Sequence, residues 1–228
     1  MKNDNGVALV AAMMITLLMA TLALVLVLTT TVETKIASQY QHTYGALYAA
    51  DAIVERALND LLGVANWNRL LDGTALSSFV DGPPTGPRTL ADGVTIDLAQ
   101  TLNAANCHKT GPCTIADMNA VSDDRPWGIN NPRWQLFAYG PIGGLPAALL
   151  GGVGVQSPYY GVVMVGDDPA EDDGDPTLDG TGSNPGAGVV LLRGEAFGPG
   201  GVHKVVELTA TRARVAMAIK VLSWREIR

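Results

Sequence analysis

Basic residues are scarce in this chain of 228 residues. Fifteen Lys and Arg stand against 22 Asp and Glu, which gives a formal net charge of −7. A nucleic-acid-binding protein usually presents a basic patch or stripe, and this composition therefore predicts no nucleic-acid partner. The excess of acid is uneven, since seven carboxylates lie between Asp167 and Asp179.

Histidine is also rare, with only His42, His108 and His203 in the chain. A catalytic triad is defined by its geometry, and no spacing of these residues with a nucleophile and an acid predicts one. We therefore expect that the chain is not an enzyme.

The chain has two cysteines, Cys107 and Cys113, with five residues between them. In an exported protein such a pair most simply closes a small disulfide loop, whereas in a cytosolic protein both would be free thiols. A zinc site needs four ligands, and only His108 lies close by. We expect the disulfide.

Charge is absent from residues 7–32, which contain no Asp, Glu, Lys or Arg. About 20 apolar residues suffice for a helix to cross the hydrocarbon core of a bilayer. The run exceeds the 7–15-residue apolar core that is typical of a secretory signal, so it predicts a retained transmembrane helix. Six polar residues, 1–6, precede the run and end in Gly6.

Residues 33–62 continue the helix with an amphipathic pattern. The apolar residues recur at gaps of three and four, which defines one helical face. They are Ile36, Tyr40, Tyr44, Leu47, Ala50, Val54, Leu58 and Leu61. Gly63 is a natural stop, and we therefore predict one helix over residues 7–62.

The remainder, residues 63–228, is rich in glycine and proline and predicts a head domain made of strands and turns. Apolar runs or alternation predict strands over 94–98, 136–139, 160–165, 188–193, 203–211 and 214–224. Strands that follow one another through turns favour an antiparallel meander, and the amphipathic segment 33–62 can cover one face of it. The predicted fold class is α+β.

The acidic loop between the strands at 160–165 and 188–193 is the one candidate ligand site. Calcium prefers six to eight oxygen ligands from carboxylates and carbonyls, although the spacing is not that of an EF-hand loop. A solvated loop without a ligand is the alternative. The candidate calcium ligands are Asp168, Asp172, Asp173, Asp175 and Asp179.

Two stretches carry a resemblance to a known family. A short polar leader ending in Gly6, followed by GVALVAAMMITLL, looks like the prepilin-peptidase site of type IV pilins. The later stretch YGALYAADAIVERALNDL resembles the end of the N-terminal helix of PilX-type minor pilins. The family pattern is matched here by Ala46, Ala49, Ala50, Asp51, Glu55, Arg56, Ala57 and Leu58.

The resemblance implies a pilin fold and a defined maturation. Prepilin peptidase would cleave between Gly6 and Val7, and Val7 would become the methylated N-terminus. The helix would hold the subunit in the inner membrane, with residues 63–228 in the periplasm, until it packs against other minor and major pilins in the fibre. Most major pilins carry Glu at the fifth mature position, where this chain has Ala11. The difference favours a tip or initiating position.

These observations predict a minor pilin that helps initiate or cap a type IV pilus. A second reading within the class is a GspK-like tip pseudopilin of a type II secretion system, although such proteins usually carry a large helical insertion in the sheet domain. A reading from another class is a single-span, membrane-anchored periplasmic binding domain or enzyme.

Overall fold

The computed structural model describes residues 5–143, 157–171, 173–180, 186–212 and 218–227 of the chain. The chain divides into two compact units, Met1–Gln41 and His42–Arg228. Helix α1 runs over Asn5–Leu61, 57 residues, which confirms the predicted helix over 7–62. Residues 1–4 of the predicted leader lie outside the described residues.

The head is built on a five-stranded antiparallel sheet in the order β3-β4-β5-β6-β7, which confirms the predicted meander. Its strands are β3 (Gln135–Ile142), β4 (Tyr159–Asp167), β5 (Val189–Gly198), β6 (Val202–Arg212) and β7 (Ile219–Ile227). Strand β7 overlaps the predicted strand over 214–224 from Ile219 onward, and residues 213–217 lie outside the described residues.

The C-terminal part of α1 covers one face of this sheet. The buried helix residues are mainly small or β-branched, and they pack against alternate residues of β4, β5 and β6. The helix approaches β5 so closely that the strand needs a glycine at Gly194, since a Cβ there would lie 3.0 Å from the carbonyl oxygen of Ala50. The buried side chains of α1 are Ala46, Ala49, Ala50, Ile53, Val54, Ala57, Leu58 and Leu61.

The predicted packing of the amphipathic part of α1 on one face of the sheet is confirmed. Within the second unit, Tyr44 is 44% exposed and the buried side chains of α1 begin at Ala46.

Short elements lie between α1 and β3. They are α2 (Asn68–Leu71), β1 (Pro87–Thr89), β2 (Thr95–Asp97), α3 (Leu98–Cys107) and α4 (Ile115–Met118). Leu70 and Leu71 of α2 belong to the same core as the buried residues of α1. The predicted strand over 94–98 ends one residue early because Asp97 caps α3, its carboxylate accepting from the Gln100 amide at 3.0 Å. Leu98 of α3 then packs in a second core with Trp134 and Met164.

Candidate functional site

The N-terminal unit presents exposed apolar side chains over residues 7–32. Its threonine hydroxyls bond within the helix; Thr16 donates to the Met13 carbonyl at 2.9 Å and Thr21 to the Leu18 carbonyl at 2.8 Å. Polar groups in hydrocarbon must find hydrogen-bond partners within the protein segment, and these two hydroxyls find them in carbonyls of their own helix. By length and composition α1 is long and apolar enough to cross a membrane, as an N-terminal anchor or a signal sequence is.

The predicted processing residues lie at the start of α1. The helix begins at Asn5, so the Gly6–Val7 bond lies in its first turn. The Val7 side chain is 73% exposed. Ala11 lies four residues further on and therefore on the same helix face as Val7. With Val10 and Met14 these residues line a shallow apolar groove.

The disulfide between Cys107 and Cys113 is present in the structure, as predicted. It joins the end of α3 to the segment that precedes α4, with 6.0 Å between the two Cα atoms. The neighbouring Arg125 is buried and donates to the carbonyls of Ala105 at 2.9 Å, Met118 at 3.1 Å and Pro132 at 3.2 Å. The disulfide-bearing segment is therefore fastened to the chain that enters β3.

A network of ion pairs lies on strands β5, β6 and β7, and sequence reasoning missed it. Arg193 contacts Glu195 at 2.6 Å and Glu207 at 2.8 Å. Arg225 contacts Glu207 at 2.6 Å, and His203 contacts Glu195 at 2.8 Å. The antiparallel register places Arg193 directly opposite Glu207, so the network follows from strand pairing that the sequence alone does not define.

The cations of this network stabilise the ionised form of Glu195, which is only 3% exposed. Burial alone would raise the pKa of Glu195, but the hydrogen bond with His203 and the charge of Arg193 outweigh it and lower the pKa below its usual value. Two buried carboxylates and the Arg193 guanidinium between them thus form a compensated set.

The four described members of the predicted calcium set do not form a group that could hold a metal ion. Most carboxylates of the set cap local turns. Asp168 accepts from the Ala170 amide at 3.1 Å, Asp173 from the Asp175 amide at 2.8 Å, and Asp175 from the Thr177 amide at 3.0 Å. Across the described residues, no three His, Cys, Asp or Glu side chains form a group that could hold a metal ion.

The other two members of the predicted set are placed differently. Asp179 accepts from the Gly188 amide at 2.6 Å, which ties the end of the loop to the start of β5. Asp172 lies outside the described residues.

The two most buried carboxylates of this loop, Asp167 and Glu171, were not in the predicted set. They are 4% and 3% exposed, and their carboxyl groups share a hydrogen bond. Burial, together with the adjacent carboxylate of Glu171, raises the pKa of Asp167 to about 8. Burial and the nearby charges of Asp173 and Asp179 also raise the pKa of Glu171.

A signal for Asp167 is present in the sequence in hindsight. Alternate residues of a strand share a face, and Asp167 continues the series Val163 and Val165, both of which belong to the core beneath α1. Glu171 carries no such signal, because it lies in the loop after β4, where the alternation of a strand no longer applies.

Comparison with known proteins gives no relative: no family model, no curated protein and no solved structure matches the chain.

Proposed function

We propose that the chain is a minor pilin of the PilX type that helps initiate or cap a type IV pilus. Before assembly it is stored in the inner membrane by its N-terminal helix, with the head in the periplasm. Prepilin peptidase removes residues 1–6, and the mature subunit then enters the fibre beside other minor and major pilins.

The observation that carries the proposal is the single helix α1, whose two ends have different environments. Residues 7–32 are uncharged and exposed, whereas Ala46–Leu61 are part of the core of the head. A simple anchor needs only about 20 apolar residues and no helical continuity with the folded domain. A helix that belongs to the head can instead leave the bilayer and pack against the helices of neighbouring subunits without unfolding the head.

Ala11 supports a place at the tip. A carboxylate in the middle of a membrane helix costs roughly 2.5–3.5 kcal/mol on insertion-type scales and is useful only when a neighbouring subunit offers a positive charge. Residues 7–32 carry no charge at all, and the position in question holds Ala11. A subunit with no neighbour above it does not need a carboxylate at that position.

The direct test is mass spectrometry of the mature N-terminus, on protein isolated from its own cells. We expect the chain to begin at an N-methylated Val7. Gly6→Leu should leave residues 1–6 attached, whereas the conservative leader variant Asn3→Gln should be processed normally. A retained Met1 in the unaltered protein would instead identify a single-span anchored protein of another kind, and a cut beyond the apolar run would identify a released, exported protein.

A second measurement separates a minor from a major pilin. We expect the subunit to be far less abundant than the major pilin in sheared pili, and deletion of its gene to reduce the number of pili per cell. Unchanged piliation after deletion would contradict the proposed role in initiation.

A further inference from the structure

We propose that a groove on the head, on the face of the sheet that points away from α1, binds a neutral saccharide, with the indole of Trp127 as the surface on which the sugar ring stacks. The site adds a binding activity to the proposed pilus subunit. It does not depend on that role, because it lies wholly within the head.

The groove lies where strands β5, β6 and β7 meet the loops that precede β3 and follow β4. Leu191 of β5 and Glu207 of β6 line it from the sheet, and their neighbours Leu192 and Leu208 belong to the core beneath α1. Since successive residues of a strand point to opposite faces, Leu191 and Glu207 point away from α1. The packing of α1 on the head therefore leaves the groove accessible.

The groove has room for a small ligand. Its volume is about 240 Å³, which lies just below the range of about 300–1,000 Å³ for pockets that hold drug-sized ligands. A single sugar ring is smaller than such a ligand, and the groove therefore fits one ring.

The exposed indole of Trp127 is the first feature that favours a saccharide. Trp127 is 39% exposed, whereas Trp67 and Trp134 are 3% and 4% exposed. Its backbone is held in place, since its amide donates to Oδ1 of the buried Asn131 at 3.0 Å and the Asn131 side chain donates to two carbonyls of the preceding segment. A positioned aromatic ring offers an apolar face beside polar groups, and the C–H face of a pyranose ring packs on such a surface.

The polar side chains of the groove supply both donors and acceptors. Arg225 donates from Nε and Nη2 to the Glu207 carboxylate, at 3.1 Å and 2.6 Å, while its Nη1 donates to no described residue. The Ser223 hydroxyl donates to the Thr209 hydroxyl at 2.9 Å, and both oxygens keep a lone pair for a ligand. These groups can form hydrogen bonds with a ligand without giving up the contacts they make in the protein.

The charges of the lining favour a neutral ligand. Asp168 and Glu207 are acidic and Arg225 is basic. An anionic ligand would meet the two carboxylates, and a cationic ligand would meet the guanidinium. A hydroxyl group both donates and accepts, so the hydroxyls of a sugar can bind to both kinds of side chain without bringing an unpaired charge into the groove.

The test uses the full chain in micelles of a detergent without a sugar head group, since a maltoside or glucoside would compete. Saturation-transfer NMR and tryptophan fluorescence are measured with the methyl glycosides of glucose, galactose, mannose, fucose and N-acetylglucosamine. We expect at least one of them to bind with a dissociation constant on the order of 1 mM, as the affinity per atom of small ligands gives for one sugar ring. Choline chloride and sodium acetate, the cationic and anionic probes, should not bind.

Two exposed tryptophans provide a matched pair of variants. Trp127→Ala should abolish saccharide binding, and Trp127→Phe should retain weaker binding. Trp224→Ala is the control, because Trp224 is 49% exposed but its indole donates to Asp51 of α1, on the opposite face of the sheet. That variant should bind like the unaltered chain. Arg225→Gln should weaken binding roughly tenfold, through the loss of a charged donor.

Three results would overturn the proposal. They are the absence of binding by all of the glycosides at tens of millimolar, binding of choline or acetate in their place, and equal affinity of Trp127→Ala and Trp224→Ala. Circular dichroism checks that each head is folded. If Trp127→Ala does not fold, Arg225→Gln decides, since unchanged affinity in that variant also contradicts the site.

Discussion

The head buries two sets of carboxylates, and the surrounding protein shifts the pKa values of Glu195 and Asp167, one from each set, in opposite directions. Glu195 and Glu207 lie on adjacent strands with the Arg193 guanidinium between them. Asp167 and Glu171 lie side by side at the end of β4 and in the loop that follows, and neighbouring carboxylates act on both of them. The pKa of Glu195 is accordingly lowered and that of Asp167 raised, although burial acts in the same direction on both.

The comparison shows that burial alone does not decide the charge state of a carboxyl group. Burial disfavours the ionised form, and a nearby opposite charge favours it. At Glu195 the hydrogen bond with His203 and the charge of Arg193, which both contact the carboxylate, outweigh burial. At Asp167 a neighbouring carboxylate, that of Glu171, adds to the effect of burial.

The largest effect is expected from removal of the central cation in the compensated set. Arg193→Met should destabilise the head by about 3–5 kcal/mol, because it leaves two buried carboxylates without their shared partner. Urea unfolding of the full chain in detergent measures this. Arg69→Met, which replaces an exposed Arg of α2, should change the unfolding free energy little. If both variants unfold alike, the network does not stabilise the head.

The second effect has the opposite sign and comes from Asp167. Asp167→Asn should stabilise the head by about 1–3 kcal/mol, because a neutral amide replaces a buried carboxyl group beside Glu171. The same unfolding measurement applies, with Asp123→Asn as the exposed control. A loss of stability on Asp167→Asn would mean that the carboxyl group has a partner that its surroundings in the described chain do not provide.

The main elements of the fold could be predicted from sequence, and these charge sets could not. The strands at 160–165 and 203–211 are apolar runs bounded by turns, and such runs are readable locally. Helix α3 (Leu98–Cys107) escaped prediction because its sequence LAQTLNAANC is short and rich in polar residues.

The contact between Arg193 and Glu207 depends on strand register, which is not a local property. The two residues are 14 positions apart and meet only because β5 and β6 pair in a particular register. A one-residue slip would place either side chain on the opposite face. Likewise, Glu171 looks no different in sequence from the acids around it, and only the fold shows that it is buried beside Asp167.

The third effect concerns pH and tests the depressed pKa of Glu195. A carboxyl group whose pKa is lower in the folded state contributes stability above its unfolded pKa and loses that contribution as pH falls through the folded value. The groups that face Glu195 are His203 and Arg193, and Glu207 acts on it through Arg193. The unfolding free energy should therefore fall as the pH is lowered below about 4.3, the ordinary pKa of Glu.

A variant isolates the contribution of this one carboxyl group. Glu195→Gln should unfold more easily at pH 7 because Arg193 loses a charged partner, but its stability should fall less between pH 5 and pH 3 than that of the unaltered chain. Parallel pH profiles for the two proteins would show that Glu195 does not titrate with a lowered pKa.

The smallest effect is expected at the rim of the same network. The Arg225 side chain is 56% exposed although it contacts Glu207 at 2.6 Å, and ion pairs that solvent reaches contribute less than about 1 kcal/mol. Arg225→Met should therefore cost only a fraction of what Arg193→Met costs, measured by the same unfolding experiment. Since both arginines bind the same carboxylate, the ratio of the two losses measures how far burial, rather than the number of ion pairs, determines the strength of the network. Equal losses would mean that Glu207 depends as much on its exposed partner as on its buried one.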